Sequence, residues 1–169
     1  MGGLQLSDRA DLGIYYDADR LQFDDEWVER TGVTKEVFMA AFAKHPSRGF
    51  MMDGVQFGGV IFDGKEVHIA VLPQYHGRWA LLMEPALQWL FSLQEVIHVR
   101  VSACNLKLRR FLDHCQWSGV QDGDDYMIYE VRNHAGLFFN KRSMKMQAAP
   151  QGPDGRPGDG TIFRAGATH

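Results

Sequence analysis

Apolar residues recur along this chain at two spacings, one typical of strands and one typical of amphipathic helices. Three short apolar runs at residues 49–53, 56–62 and 66–72 predict strands. Asp63-Gly64 precedes the third run and is typical of a hairpin turn, and Gly58-Gly59 predicts a β-bulge in the second. Together these runs predict an antiparallel meander.

Three longer segments, at residues 34–44, 79–93 and 106–117, carry apolar side chains at the spacing of a helix face. Thr34 is placed to cap the first helix. Pro85 either kinks the second helix or moves its start to about Glu84. The residues predicted to face the core are Val37, Phe38, Ala41, Phe42, Leu82, Ala86, Trp89, Leu90, Leu93, Leu108, Phe111, Leu112 and Cys115.

The remaining segments complete a predicted order of helices, meander, helix, strand, helix and hairpin. Residues 4–21 predict a short strand and then a helix from Asp8, and the acidic residues at 24–30 suit a helix start. Residues 96–102 alternate as a strand, and residues 119–131 predict the hairpin. A meander before a strand–helix–strand crossover predicts an α+β (mixed α/β) fold, a twisted mixed sheet with helices on both faces.

Charge and composition divide the chain into a body and a tail. Residues 1–131 carry 12 Lys and Arg against 19 Asp and Glu, a net charge of −7, whereas residues 132–169 carry 6 against 2, a net charge of +4. We therefore expect a domain over residues 1–135 and an extended, basic, Gly/Pro-rich tail over residues 136–169. A basic tail of this kind predicts contact with a protein partner or self-assembly.

Several classes of protein are disfavoured by the same composition. The acidic body argues against direct nucleic-acid binding. No stretch of 18 apolar residues is present, so we expect no membrane span, and we expect no secretory signal at the N-terminus. Cys104 and Cys115 are expected to be reduced, buried thiols of a cytoplasmic protein. The histidines and cysteines lack metal-ligand spacing, so we expect no metal.

The strongest candidate for a ligand site lies at residues 67–78. An apolar strand ends at Pro73, a turn containing Gly77 follows, and an amphipathic segment begins at Trp79. The first amides of a helix lack partners within the helix, and the helix dipole adds partial positive charge there. This order predicts a site for an anionic group, with an ordinary turn between strand and helix as the alternative.

Three motifs follow one another between residues 71 and 129. The strand end at 71–80 contains Gln74-x-x-Gly77-x-Trp79, Asn105 opens a helix that closes in Gln116-Trp117, and residues 122–129 form a hairpin. In this order and spacing they resemble the GNAT superfamily, the Gcn5-related N-acetyltransferases, over roughly residues 49–131. The first motif is similar to that family's acyl-CoA loop, Gln/Arg-x-x-Gly-x-Gly/Ala.

The resemblance implies a geometry and a ligand. Two central strands, at residues 66–72 and 96–102, are expected to splay apart, so that unpaired backbone groups between them hold acetyl-CoA. The resemblance implies that the base is either a side chain on the meander, where Glu66 and His68 are the candidates, or a bound water. The residues that it implies for cofactor binding are Val71, Leu72, Gln74, Gly77, Arg78, Trp79 and Asn105.

Ordinary structural roles remain open for several of these residues. Glu66 is also typical of a solvated residue at a strand start, and Asn105 is also typical of a helix cap. Lys107, Arg109 and Arg110 either meet the nucleotide phosphates or form a solvated helix face.

Departures from the family pattern predict a degraded site. Trp79 stands where the family has a small residue that lets phosphate approach the loop amides. Gln116 replaces a glycine, and the tyrosine that serves as the thiolate acid falls near Phe111 or Leu112 in this chain. The candidate substitutes for that acid are Cys115, His114 and Tyr126.

Two functions of different class follow. The first is a CoA-dependent N-acyltransferase with weak or lost catalysis. The second is a non-catalytic structural component, because the chain also resembles the GNAT-like proteins of tailed-bacteriophage particles and its tail suits insertion between subunits. Its expected location is then the cytoplasm, or a phage particle assembled there. The direction of the Trp79 indole, over the turn or into the core, bears on the choice.

Overall fold

A computed structural model describes residues 3–21 and 29–133. Thr34 and Asp11 cap helices as their side chains accept backbone N–H groups of the first turn, from Val37 and from Gly13 and Ile14. In chain order the elements are β1 (Leu4–Leu6), α1 (Leu12–Arg20), α2 (Lys35–Phe42), β2 (Ser47–Met52), β3 (Val55–Phe62), β4 (Val67–Val71), α3 (Met83–Leu93), β5 (Val96–Ser102), α4 (Leu106–His114), β6 (Ser118–Asp122) and β7 (Tyr126–Arg132).

The first sheet is the predicted antiparallel meander, in the order β1-β2-β3-β4. Its β-bulge lies beside the predicted glycines. Phe50 pairs with Gly58 and Met51 pairs with Gln56, so Phe57 is the extra residue of β3. The hairpin into β4 turns at Asp63, whose carboxylate accepts the amides of Lys65 and Glu66.

The second sheet is antiparallel in the order β5-β7-β6. Within the described part of the chain it meets the first sheet at one parallel bridge, between Glu66 before β4 and His98 in β5. Helix α3 makes the strand–helix–strand crossover between these two strands. The mixed α/β architecture is confirmed, and it consists of two antiparallel sheets that touch at a single point.

Helices pack on both faces, as the pattern predicts. One apolar cluster joins α3 and α4 to the inward side chains of both sheets, among them Ile69, Ile97 and Tyr129. A second cluster joins α1 and α2 to the opposite face of the first sheet, where Tyr15 stacks on Phe38 at 5.6 Å between ring centroids. The two faces of the first sheet are therefore both buried.

Several local predictions were wrong. Val37, Ala41 and Leu93 are exposed, Val37 at 55% and Leu93 at 43%, because α2 turns its Phe38 side inward and α3 ends at Leu93. Helix α1 begins at Leu12 rather than Asp8, since Asp11 is its cap. Cys104 is exposed and Cys115 is half-buried, and both are free thiols.

Two regions of the sequence analysis fall partly or wholly outside the described residues. Most of the helix start predicted at 24–30 is one, and the tail at 136–169 is the other. The domain boundary at residue 135 therefore stays a prediction.

Candidate active site

A gap between β4 and β5 is the central feature of the candidate site. The amide of Leu72 donates to the carbonyl of Phe57 in β3, at 2.9 Å. Because neighbouring residues of a strand direct their backbone groups to opposite edges, Ile69 and Val71 direct theirs toward β5. The bridge at Glu66 and His98 precedes these residues, so their outward backbone groups line the gap.

One of these backbone groups already has a partner from the loop after β4. His76 Nε2 donates to the carbonyl of Val71 at 2.9 Å. The half-buried imidazole of His76 therefore lies at the mouth of the gap, on the free edge of β4.

The loop after β4 consists of two 3₁₀ turns, at Pro73–Tyr75 and Trp79–Leu82, before α3 begins. The helix start at Met83 agrees with the alternative in which Pro85 moves the start to about Glu84. Several loop amides are paired, such as that of Arg78, which donates to the carbonyl of Tyr75 at 2.9 Å. The amides of Gly77, Trp79 and Ala80 donate to no acceptor among residues 3–21 and 29–133. Free amides in a turn are what an anionic group requires.

Gly77 and Trp79 have very different surroundings within this loop. A Cβ added at Gly77 meets nothing within 4 Å, so the backbone there is open to a ligand. The Trp79 side chain is only 5% exposed and stacks on Phe50, with 6.0 Å between ring centroids. The indole therefore points into the core and away from the open side of the turn.

The other loop and helix candidates lie at the same end of the gap. Gln74 and Arg78 are exposed, and Arg78 Nη1 donates to the sulfur of Met52 at 3.2 Å. Asn105 Oδ1 accepts the amide of Leu108 at 3.1 Å, which makes Asn105 the cap of α4. Since the carboxyl ends of β4 and β5 lie at one edge, Asn105 and the loop flank the open end of the gap.

The two candidate bases have different environments. His68 is buried, and its Nε2 donates to Asp63 Oδ2 at 2.8 Å. Its ring meets Phe42 edge-on at 5.8 Å between centroids, on the α1 face of the sheet. Glu66 is half-buried at the bridge, where the two strands separate. Glu66 is thus beside the gap, whereas His68 is committed to the hairpin turn.

Electrostatic effects around His68 are strong. Burial alone raises the pKa of Asp63, but hydrogen bonds from His68 and from the amides of Glu66 and Lys65 outweigh it and hold that pKa well below its usual range. Burial raises the pKa of Asp19 to about 7, and nearby His68 opposes this shift. Burial and the charge of Asp19 raise the pKa of Tyr15.

Sequence analysis missed two residues of β5 beside the gap. Bridge partners share a sheet face, so His98 lies on the same face as Glu66. Arg100 lies on that face as well, with its guanidinium 4.4 Å from the Tyr126 ring and 2.7 Å from Asp122. Alternation along residues 96–102 contains this signal, because it assigns His98 and Arg100 to the polar face of β5.

Helix α4 places its candidate side chains in different surroundings. Leu112 is 2% exposed in the core, and burial raises the pKa of the Cys115 thiol to about 11. Arg109 folds back onto the carbonyl of Ala103 at 2.8 Å, while Arg110 and His114 are exposed. The Lys107 side chain lies outside what the structure describes.

The described residues contain neither a metal-binding cluster nor a helix suited to cross a membrane. These residues contain no group of three or more His, Cys, Asp and Glu side chains placed to hold a metal ion. Among the helices of the same residues, none has the length and apolar character needed to cross a bilayer.

Comparison with known proteins decides the fold. No protein-family model and no curated protein sequence matches this chain. The PaiA N-acetyltransferase of Thermoplasma acidophilum, solved in complex with coenzyme A, matches with a TM-score of 0.59 at 16% identity, over 78% of this chain and 99% of that one. The chain has the GNAT acetyltransferase fold.

Two further GNAT structures support this assignment. A GCN5-related N-acetyltransferase of Rhodopseudomonas palustris gives a TM-score of 0.54 at 15% identity, over 77% of this chain and 94% of that one. YncA of Salmonella typhimurium, solved with its cofactor acetyl-CoA, gives a TM-score of 0.53 at 15% identity, over 80% of this chain and 98% of that one. The GNAT fold inferred from the three motifs is thereby confirmed.

Proposed function

We propose that this protein binds acyl-CoA in the gap between β4 and β5 and transfers the acyl group slowly to an amine. The observation that carries the proposal is the gap itself, which has one bridge at its closed end and a loop with free amides at its open end. The CoA complexes of PaiA and YncA, which share the fold, support the choice of ligand.

The loop binds the pyrophosphate in this proposal. The amides of Gly77, Trp79 and Ala80 donate to the phosphate oxygens, and exposed Arg78 adds positive charge beside them. Gln74 and Asn105 flank the same end of the gap. Trp79 contributes its backbone alone, because its indole is part of the core.

The free edge of β4 binds the rest of the ligand. The outward backbone groups of Ile69 and Val71 pair with the amides of the pantetheine arm. Leu72, which follows β4, contacts the ligand at the mouth of the gap. A backbone N–H on this edge also stabilises the negative oxygen that forms when the amine attacks the thioester.

Glu66 takes the proton of the attacking amine. It is half-buried at the closed end of the gap, where the thioester of an extended ligand arrives. His68 does not touch the substrate but positions Glu66, because its hydrogen bond to Asp63 fixes the hairpin from which β4 starts. The leaving thiolate takes a proton from water, since neither Phe111 nor Leu112, the two residues near the position of the family's tyrosine, carries an acidic proton. Slow turnover follows.

Calorimetry of the full chain with CoA and acetyl-CoA tests the proposal. We expect saturable binding, and a loss of about tenfold or more in affinity for Gly77→Val. The added side chain meets no protein atom within 4 Å of its Cβ, so the melting temperature should stay unchanged. Gly3→Val is the matched control, because its Cβ is equally open. No heat with millimolar CoA would end the proposal.

A second candidate function is a non-catalytic component of a phage particle. The apolar residues Phe111 and Leu112 near the expected acid position and the basic tail at 136–169 favour it. This candidate predicts that the chain assembles through its tail, so removal of residues 149–169 should shift its elution in size-exclusion chromatography to a smaller species. Unchanged elution counts against assembly, and release of thiol from acetyl-CoA in the presence of amines counts against a purely structural role.

A further inference from the structure

A pocket of about 200 Å³ lies where the described part of the chain ends. Gln88, Phe91 and Ser92 of α3 line it together with Asn133, the residue after β7. Phe91 is half-buried and packs on the edge of the main apolar cluster, whereas the other three residues are exposed. The pocket is separate from the loop after β4, because β7 ends beside Val96, at the opposite end of β5 from the open end of the gap.

The size of this pocket suits one side chain better than a free ligand. Sites for small molecules usually have volumes of about 300–1,000 Å³. A pocket of about 200 Å³ with an aromatic ring in its wall suits a second aromatic ring, since such rings attract each other in offset or edge-to-face packing. The expected occupant is therefore an aromatic side chain of a protein segment.

The chain that follows Asn133 carries such side chains within reach. Leu137, Phe138 and Phe139 are consecutive apolar residues, and residues 134–136 alone separate them from Asn133. Four residues span at most about 14 Å, so the run stays close to the pocket in its own chain. Closing so short a connection costs little chain entropy.

Charge favours the same match. Residues 134–146 carry three Lys and Arg and no Asp or Glu, whereas residues 79–99, which include α3, carry two Glu and no Lys or Arg. One of these is Glu84, whose Oε1 accepts a hydrogen bond from Nε2 of the pocket residue Gln88 at 3.4 Å. A basic residue beyond the apolar run therefore meets negative charge beside the pocket.

We propose that residues 137–139 dock in this pocket of the same chain and anchor the tail to α3. An aromatic ring of this segment packs on Phe91, and Lys141 lies beside Glu84. The rest of the basic tail then leaves the protein from the surface of α3. This docking does not depend on whether the gap between β4 and β5 binds CoA.

Limited digestion of the full chain with chymotrypsin tests the proposal, because this protease cleaves after accessible aromatic residues such as Phe138 and Phe139. The cleavage rate follows the population of the open form when docking is fast relative to cleavage. Ser92→Arg fills the pocket and places a positive charge against the basic segment. Cleavage after Phe138 and Phe139 should then be about tenfold faster than in the unmodified chain, as expected for a segment that is docked about nine-tenths of the time.

Two further variants complete this experiment. Gln88→Arg blocks the pocket from a second position and should also accelerate cleavage. Gln94→Arg is the matched control, because it adds the same charge at an exposed residue just after α3 and outside the pocket, and it should keep the unmodified rate. Thermal melting checks that each variant is folded.

Hydrogen exchange reads the same contact from the side of the helix. The double variant Phe138→Ser and Phe139→Ser should lower the protection of amides at residues 88–93 several-fold, since the end of α3 loses its cover. Met144→Ser with Met146→Ser is the control, because it removes apolar side chains of the tail beyond the docking segment.

Two results would overturn the proposal. One is an equal cleavage rate in the unmodified chain, Ser92→Arg and Gln88→Arg. The other is protection that disappears when the protein is diluted about hundredfold, which would show that a second copy supplies the segment. Docking within one chain is unaffected by dilution, because the short connection sets the effective concentration.

Discussion

His76 and Trp79 come from the same loop, and their side chains go in opposite directions. Trp79 is apolar and large, so burial against Phe50 removes much of its surface from water. His76 stays at the mouth of the gap because the carbonyl of Val71 offers it a hydrogen bond there. Trp79 therefore anchors the loop in the core, and His76 ties the loop to the end of β4.

The contact of His76 predicts an effect on ligand affinity. His76→Ala removes a donor that competes with the ligand for the Val71 carbonyl, so CoA should bind several-fold more tightly to this variant. Calorimetry measures the change, with His45→Ala, another half-buried histidine but one packed on Phe42, as control. Weaker binding by His76→Ala would show that the imidazole holds the ligand rather than blocking it.

At the scale of elements, β4 depends on two glycines of β3. Their lack of side chains lets the strands β2, β3 and β4 approach closely around the bulge. A Cβ built at Gly58 would lie 2.3 Å from the Ala70 carbonyl oxygen, and one at Gly59 would lie 2.7 Å from that of Arg48. Both obstacles are backbone atoms, which cannot move without shifting a strand.

Gly58→Ala should therefore destabilise the protein and displace β4. We expect a loss of about 1–3 kcal/mol in the free energy of unfolding, the range for overpacked interiors. Urea denaturation measures it. Gly77→Ala serves as the control, because its Cβ has open space and its free energy of unfolding should change little. Equal stability of the two variants would contradict the close approach of β3 and β4.

At the scale of the whole molecule, the gap separates two unlike faces. The α3 and α4 face is an apolar core, whereas the opposite face carries Glu66, His98 and Arg100. Asp19 of α1 is buried near His68 of β4, so an ionisable group lies between a helix and the strand that borders the gap. The stability of this packing depends on pH.

The sign of that dependence follows from the raised pKa of Asp19. The folded pKa of about 7 lies above the unfolded value of 3.8, so the contribution to stability is present below about pH 4 and is lost as pH rises through 7. Relative to Asp19→Asn, the unmodified chain should lose about 2 kcal/mol of unfolding free energy between pH 5 and pH 8. Urea denaturation at both pH values measures this difference.

The control for this prediction is Asp17→Asn on the same helix. Asp17 is exposed and accepts a hydrogen bond from Lys35 at 2.8 Å, so its replacement should not produce the same pH-dependent difference. Parallel pH profiles for Asp19→Asn and the unmodified chain would contradict the assigned burial of the Asp19 carboxylate.

The sequence by itself determined the features that depend on neighbouring residues. The hairpin at Asp63, the bulge beside Gly58, the caps Thr34 and Asn105 and the strand at 96–102 follow from turn chemistry and local periodicity. The motif order also gave the fold, and with it the expected gap.

Tertiary structure alone decided how side chains fill or leave that gap. The indole of Trp79 stacks on Phe50, the ring of His68 meets Phe42 edge-on, and Ile69 packs in one core with Ile97 of the other sheet. Each outcome depends on partners far apart in the chain, whose packing and desolvation energies no local pattern contains. The physical reason is that a strand's alternation fixes which face a residue occupies, while long-range packing fixes what it meets there.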